Sequence, residues 1–262
     1  MTAATVNTNP VQTAFNDAAA QYSAAAQVQR QAAQVFADWL AVLPISNPTH
    51  ISEIGCGTGF LTEHLAPRHA VPYCATDLAP AMLQQAQARL PDLAARIDWQ
   101  VWDGQNGVPN SGVPNIAAST DWLVSALCAQ WLHPLDEVLA RWLAQSHVVA
   151  FSVVLDDSFS AWRNAHAQLG LSSGLQPLPN WSQLQAQCLG LGAQQAFFQH
   201  LTLNETHANA LAFAHSVKAI GAHVPRAGHR SAGLRSPLRQ VLKALPQPCT
   251  LNYEIGFVCL VK

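Results

Sequence analysis

The chain has 262 residues, half of them hydrophobic and only 11% charged, with a formal net charge of -2. That length buries a sizeable core as one large domain or two small ones, and the low charged fraction, against roughly 25% in an average soluble domain, gives a weakly charged surface. No apolar run approaches the ~18 residues of a membrane span, and the opening MTAATVNTNPVQTAF has neither a cationic start nor an apolar stretch like a signal peptide's, so a cytoplasmic protein is expected.

From 11 to 43 the chain is rich in Ala and Gln, with Val28, Val35, Phe36, Trp39 and Leu40 at roughly helical spacing, and Pro44 and Pro48 close the segment. It predicts one long or two shorter helices ahead of a sheet. A strand and helix rhythm follows: HISEIG, a helix over 60–65, AVPYCATD, a helix over 80–90, IDWQVWD, DWLVSAL, a helix over 134–145, and HVVAFSVV. Strands of this kind, short, mostly apolar on both faces and alternating with helices, predict a parallel sheet covered on each side. The stretch 104–120, rich in Gly, Pro, Asn and Ser, predicts a loop.

Beyond Val154 the pattern changes to helices near 158–169 and 181–189, a strand in QQAFFQHLTL, a helix over about 207–220, another after Pro237, and a terminal strand TLNYEIGFVCLV. The two late strands are expected to pair antiparallel at one sheet edge, with 206–244 inserted between them. We expect one domain over 1–262, with the segment 10–44 ahead of a core at 49–155 and a terminal strand at 249–262.

Charge is unevenly spread. Residues 1–205 hold six Lys or Arg against fourteen Asp or Glu, whereas 206–253 hold Lys218, Arg226, Arg230, Arg235, Arg239 and Lys243 with no acid. Such a segment is either a solvated face or an attachment point for an anionic substrate or acidic partner. Aromatic interleaving is sparse there, so no nucleic-acid platform is expected. The six cysteines form no C-x-x-C pair and no partnering histidine cluster, so neither a metal site nor a disulfide framework is expected.

The glycine turn EIGCGTGF, 53–60, follows the first strand. A dinucleotide turn needs a third small residue for close helix packing beneath a pyrophosphate. Phe60 stands there instead, and Glu53 would repel a pyrophosphate while suiting a cationic ligand. S-adenosylmethionine carries an ammonium and a sulfonium but no phosphate, and Gly55 and Gly57, either side of Cys56, let the backbone approach it. Asp77 ends the second strand, placed to accept from both ribose hydroxyls. Leu78 and Met82 follow where adenine would pack. Asp103 and Gly104 end the third strand, where an adenine amino group would be received.

With those residues in place, the chain resembles the class I methyltransferases that use S-adenosylmethionine, and among them the malonyl-acyl-carrier-protein O-methyltransferases of biotin synthesis. AFNDAAAQYSAAAQVQRQAA is similar to that family's opening helix, with Tyr22, Gln29 and Arg30 at matching positions. SALCAQWL, beginning at Ser125, follows the fourth-strand pattern, and VKAIGAHVP and LNYEIGF match two further family segments. Ala126 stands where an Asn is usual, a Pro-Gly-Gly turn before the fifth strand is absent, and the loop after Asp103 is longer than usual.

The resemblance implies a seven-stranded, mostly parallel, doubly wound Rossmann-like sheet with an N-terminal helical lid and a helical insertion near the C-terminus. It implies methyl transfer from S-adenosylmethionine to the free carboxylate of malonyl-acyl carrier protein, leaving S-adenosylhomocysteine, without metal or general base. Lys218 and then Arg235 are the expected carboxylate handles, and Tyr22 the main residue from the lid. Tyr22, Arg30 and Ser125 join the cofactor set, and the basic 206–244 segment is expected to dock the acidic carrier protein. Methylation of another small acid or amine, and a non-catalytic cofactor-binding partner protein, are the alternatives.

Overall fold

The computed structural model describes residues 9–109, 120–222 and 237–262. Two helices open it, α1 (Pro10–Ala25) and α2 (Gln27–Val42), broken at Ala26 where φ is -89° and ψ 58°. Asn9 starts the first by accepting from the Val11 amide at 2.9 Å, and Pro10 supplies a φ already suited to a first helical turn. Along α2, Val28, Ala32, Phe36 and Leu40 recur every four residues and all are buried, so one stripe of the helix lies against the sheet.

The alternating region follows as β1 (Ile51–Ile54), α3 (Thr62–Arg68), β2 (Tyr73–Asp77), α4 (Pro80–Arg89), the single turn α5 (Pro91–Ala94), β3 (Ile97–Val101), β4 (Thr120–Ala126), α6 (Leu135–Gln145) and β5 (Ser146–Val154). The remainder is α7 (Ser160–Gln168), α8 (Trp181–Gly190), β6 (Gln195–His207), α9 (Ala210–Ala219), α10 (Pro237–Ala244) and β7 (Cys249–Val261). The seven strands form one sheet in the order β3-β2-β1-β4-β5-β7-β6. β1 to β5 pair in parallel, while β7 runs antiparallel to both β5 and β6. This is the mostly parallel, doubly wound sheet the pattern predicts, with the two late strands paired at one edge.

The sheet separates two cores. Phe36, Leu40, Trp122 and Phe257 belong to the face covered by α2, whereas Leu139, Trp142, Phe151 and Val258 belong to the face covered by α6 and α8. Alternation along β7 supplies both, since Phe257 and Cys259 face one core and Val258 and Leu260 the other.

Differences from the sequence reading are local. α9 begins at Ala210 rather than near 207, because the Asn209 side chain accepts from the Ala212 amide at 2.9 Å and caps the helix there. α3 begins at Thr62 rather than Phe60, since the Gly59 amide donates to the Cys56 carbonyl at 2.8 Å and extends the glycine turn. The helix α5 was not anticipated. Arg226, Arg230 and Arg235, together with most of the loop expected over 104–120, lie outside the described residues.

Candidate active site

Connections leave β1 and β4 toward opposite sides, so a crevice opens at their carboxyl ends, where doubly wound sheets take ligands. A cavity of about 300 Å³ occupies that crevice. Glu53, Gly55, Cys56 and Gly57 line it from β1 and its turn. Asp77, Leu78 and Met82 border it after β2, Asp103 and Gly104 after β3, and Tyr22 from α1. Ten expected site residues, separated by up to 82 positions in sequence, therefore meet at one cavity.

The turn is held from several sides. Gly57 adopts φ of +55°, and its amide donates to Asp77 Oδ2 at 2.8 Å. A Cβ at Gly57 would meet nothing within 4 Å, whereas one at Gly55 would stand 2.3 Å from Cys128 Sγ. The loop after β4 thus packs onto the turn only because residue 55 has no side chain. Arg89 of α4 donates from Nε to the Thr58 carbonyl at 2.8 Å and from Nη2 to the Gly59 carbonyl at 2.6 Å, while its Nη1 pairs with Glu63. These bonds fix the peptide orientations of the turn.

Two carboxyl groups face the cavity in unlike settings. Asp77 Oδ1 accepts from the Ala79 amide at 2.8 Å and Oδ2 from Gly57, yet burial still pushes its pKa up to about 6. Glu53 is 1% exposed; Thr62 Oγ1 and Tyr73 OH both donate to its Oε2 at 2.6 Å, and burial outweighs them, pushing the pKa up to about 7. Asp103 caps the short 3-10 turn after β3 by accepting from the Gln105 amide at 3.0 Å.

Tyr22 lies between Phe15 and Phe60, with ring centroids 6.4 and 6.0 Å away, and burial raises its hydroxyl pKa well above the usual tyrosine range. α1 is tied across the cavity by Gln12 Nε2 donating to the Leu78 carbonyl at 2.8 Å and by the Ala81 amide donating to Asn16 Oδ1 at 3.0 Å.

Three expected residues stand elsewhere, and a fourth lies outside the described residues. Ser125 is fully buried behind the turn and donates to the Ile54 carbonyl at 2.9 Å, so it supports the end of β1 rather than lining the cavity. Arg30 is exposed, stacked 4.6 Å above the Phe60 ring and donating to the Ser23 carbonyl, also off the cavity. Lys218 is exposed at the end of α9 and does not line the cavity, while Arg235 lies outside the described residues.

The cavity also contains residues outside the expected site set. Trp102 and Gln105 flank Asp103 and follow from the strand end alone. Phe15 and Trp131, whose rings meet edge-on at 5.5 Å, are 116 positions apart, and only the fold of α1 over the sheet joins them.

Residues 52–145 match a family model described as a methyltransferase domain. Over these residues the chain is similar to methyltransferase domains. The chain is 36% identical over 250 residues to the biotin biosynthesis bifunctional protein BioCD of Bordetella avium, covering 93% of this chain and 50% of that protein, so it spans half the length of that relative. It is 28% identical over 243 residues to the malonyl-[acyl-carrier protein] O-methyltransferase of Magnetococcus marinus, with 90% of this chain and 87% of that protein covered.

Solved structures extend the likeness of fold. Phosphoethanolamine N-methyltransferase 2 of Haemonchus contortus, in complex with phosphomonomethylethanolamine and S-adenosylhomocysteine, superposes with a TM-score of 0.52 at 15% identity, over 87% of this chain and 52% of that one. The plantazolicin methyltransferase BpumL, in complex with SAH, gives 0.51 at 12% identity over 97% and 94% of the two chains. The chain shares with them its fold.

Proposed function

We propose that this protein transfers the methyl group of S-adenosylmethionine to the free carboxylate of malonyl-acyl carrier protein, forming the methyl ester used in biotin synthesis and leaving S-adenosylhomocysteine. The observation that carries the reading is the match along 90% of the chain to the Magnetococcus marinus malonyl-[acyl-carrier protein] O-methyltransferase.

The cavity suits the methyl donor. Gly57 faces open space with room for close backbone approach, and both Asp77 oxygens keep acceptor capacity for ribose hydroxyls beyond their backbone bonds. Glu53 receives both of its side-chain donors on Oε2, and a cationic group in the cavity favours its ionised form. When bound, S-adenosylmethionine supplies an electrophilic methyl on a sulfonium.

The acceptor carboxylate has a reference pKa near ~4 and arrives ionised, so the chain needs no general base. Its task is alignment and exclusion of water. Phe15, Tyr22 and Trp131 supply the apolar wall for that purpose. Arg239 and Lys243 lie exposed four residues apart on α10, on one helix face, and offer the acidic carrier protein a basic docking stripe. No helix among the described residues is long and apolar enough to cross a membrane, and the reaction belongs in the cytoplasm with its donor and carrier.

The test is methyl transfer from labelled S-adenosylmethionine to malonyl-acyl carrier protein, malonyl-coenzyme A and a panel of free acids. A malonyl methyl ester on the carrier protein is expected. Turnover on a free acid with none on either malonyl thioester would overturn the reading.

A further inference from the structure

The cavity suits positive charge by more than its carboxyl groups. Among the described residues no Lys, Arg or His lines it, whereas Glu53, Asp77 and Asp103 do. Much of the remaining wall is aromatic. Phe15 and Tyr22 enter from α1 and Trp131 from the loop after β4; all three line the cavity and are only half-buried, unlike the core rings of Phe36 and Phe257. The Phe15 and Trp131 rings stand 5.5 Å apart at 89°, and those of Phe15 and Tyr22 6.4 Å apart at 57°. Neither pair is stacked. In an edge-on pair one ring presents only its rim to the other, so its faces stay available to a further group.

The rings also stand at a particular point of the sheet. β1 lies between β2 and β4. Phe15 and Tyr22 pack against Ala79 and Met82, just beyond β2, and Trp131 follows β4, so the Phe15–Trp131 contact bridges the carboxyl end of β1. A donor whose ribose meets Asp77 at the end of β2, with its adenine toward β3, carries its sulfur on the ribose 5′ carbon in the remaining direction. That direction leads over β1, where the rings meet.

We propose that Phe15, Tyr22 and Trp131 form an aromatic box for the sulfonium of S-adenosylmethionine, holding its charge against ring faces by cation-π attraction. The inference rests on the reading of S-adenosylmethionine as the methyl donor. Trp131 contributes most, because an indole attracts cations more strongly than a phenyl or phenol ring. A ring also offers no carboxylate oxygen that could take the methyl group in place of the acceptor. Methyl transfer turns the sulfonium into the neutral thioether of S-adenosylhomocysteine, so the attraction exists for the donor and disappears with the product. The box therefore favours replacement of spent product by fresh donor.

The experiment measures the Kd of S-adenosylmethionine and of S-adenosylhomocysteine by titration calorimetry for wild type, Trp131→Leu, Trp131→Phe and Phe15→Leu. The two ligands differ only in the methyl group and its charge, so the ratio of their affinities isolates the sulfonium. Relative to wild type, the ratio should shift against S-adenosylmethionine about tenfold in Trp131→Leu and roughly threefold in Phe15→Leu, and by no more than about twofold in Trp131→Phe. A purely structural role for the rings would weaken both ligands together and leave the ratio where it was.

A ratio unchanged in both leucine variants overturns the box, as does a Trp131→Phe ratio that shifts as far as that of Trp131→Leu. Should Trp131→Leu fail to fold or lose both ligands, Phe15→Leu decides, its ratio shifting if the box exists and holding if it does not. A wild type that binds neither ligand would sink the donor reading itself and the box with it, whereas one that binds both, with variants that keep its ratio, sinks the box alone.

Discussion

Glu53 and Asp77 show how burial changes what a sequence implies about charge. A glutamate before a glycine turn suggests a fixed negative charge, but within the sheet burial brings its pKa to about 7 and that of Asp77 to about 6. Both values are raised above those of the unfolded chain, so the associated stability is full at low pH and is lost as pH rises through 6 to 7. A ligand that favours the ionised forms binds best above that window. The melting temperature of the ligand-free protein should therefore fall between pH 5.5 and 8, while the increment from added S-adenosylhomocysteine grows. Thermal melts at both pH values, with and without ligand, check this, and an increment that shrinks with pH would contradict it.

Asp77 also permits a direct test. Asp77→Ala removes the acceptor of the Gly57 amide and the proposed acceptor for the ribose, and should weaken S-adenosylmethionine binding on the order of 100-fold, about 3 kcal/mol. KM for the malonyl acceptor should stay nearly constant. Asp77→Asn, which keeps the shape and one acceptor oxygen, should lose less, as titration calorimetry would show.

At the scale of elements, the glycine turn and α4 act as one unit. Gly59 has φ of +82°, and a Cβ there would stand 2.9 Å from Leu90 Cδ1 and 3.5 Å from Arg89 Nη2. Gly59→Ala should therefore cost about 1–3 kcal/mol of stability, read by urea denaturation. The identity of residue 59 is dictated as much by α4 packing as by the ligand. Phe60 likewise gains a role that the sequence did not suggest, since its ring sits between the Arg30 and Arg89 guanidiniums at 4.6 and 4.9 Å. The residue that argued against a dinucleotide is also a cation-π platform between α2 and α4.

Across the whole molecule, the proposed function assigns the cofactor to the acidic half and the carrier protein to the basic C-terminal segment. Replacing Arg239 and Lys243 together by Glu should lower kcat/KM for malonyl-acyl carrier protein about tenfold or more at low salt, while leaving malonyl-coenzyme A turnover nearly intact. The difference should shrink as ionic strength rises and screens the charges. Steady-state kinetics with both acceptors at two salt concentrations decides it, and equal losses on both would remove α10 from the carrier interface.

The sequence by itself determined the alternation that builds the sheet and the ends of its first three strands. Apolar strand patterns, capping residues and glycine spacing are local properties, readable without the fold. Thus Glu53, the glycines, Asp77 and Asp103 were legible, each from the few residues around it. Only the tertiary structure decided what the neighbours make of them. Burial brought Glu53 toward neutrality, α1 laid Phe15 against Trp131 across the cavity, Ser125 went beneath the turn, and Lys218 stayed at the surface. These outcomes depend on contacts between residues far apart in the chain, and such contacts leave no periodicity in the sequence.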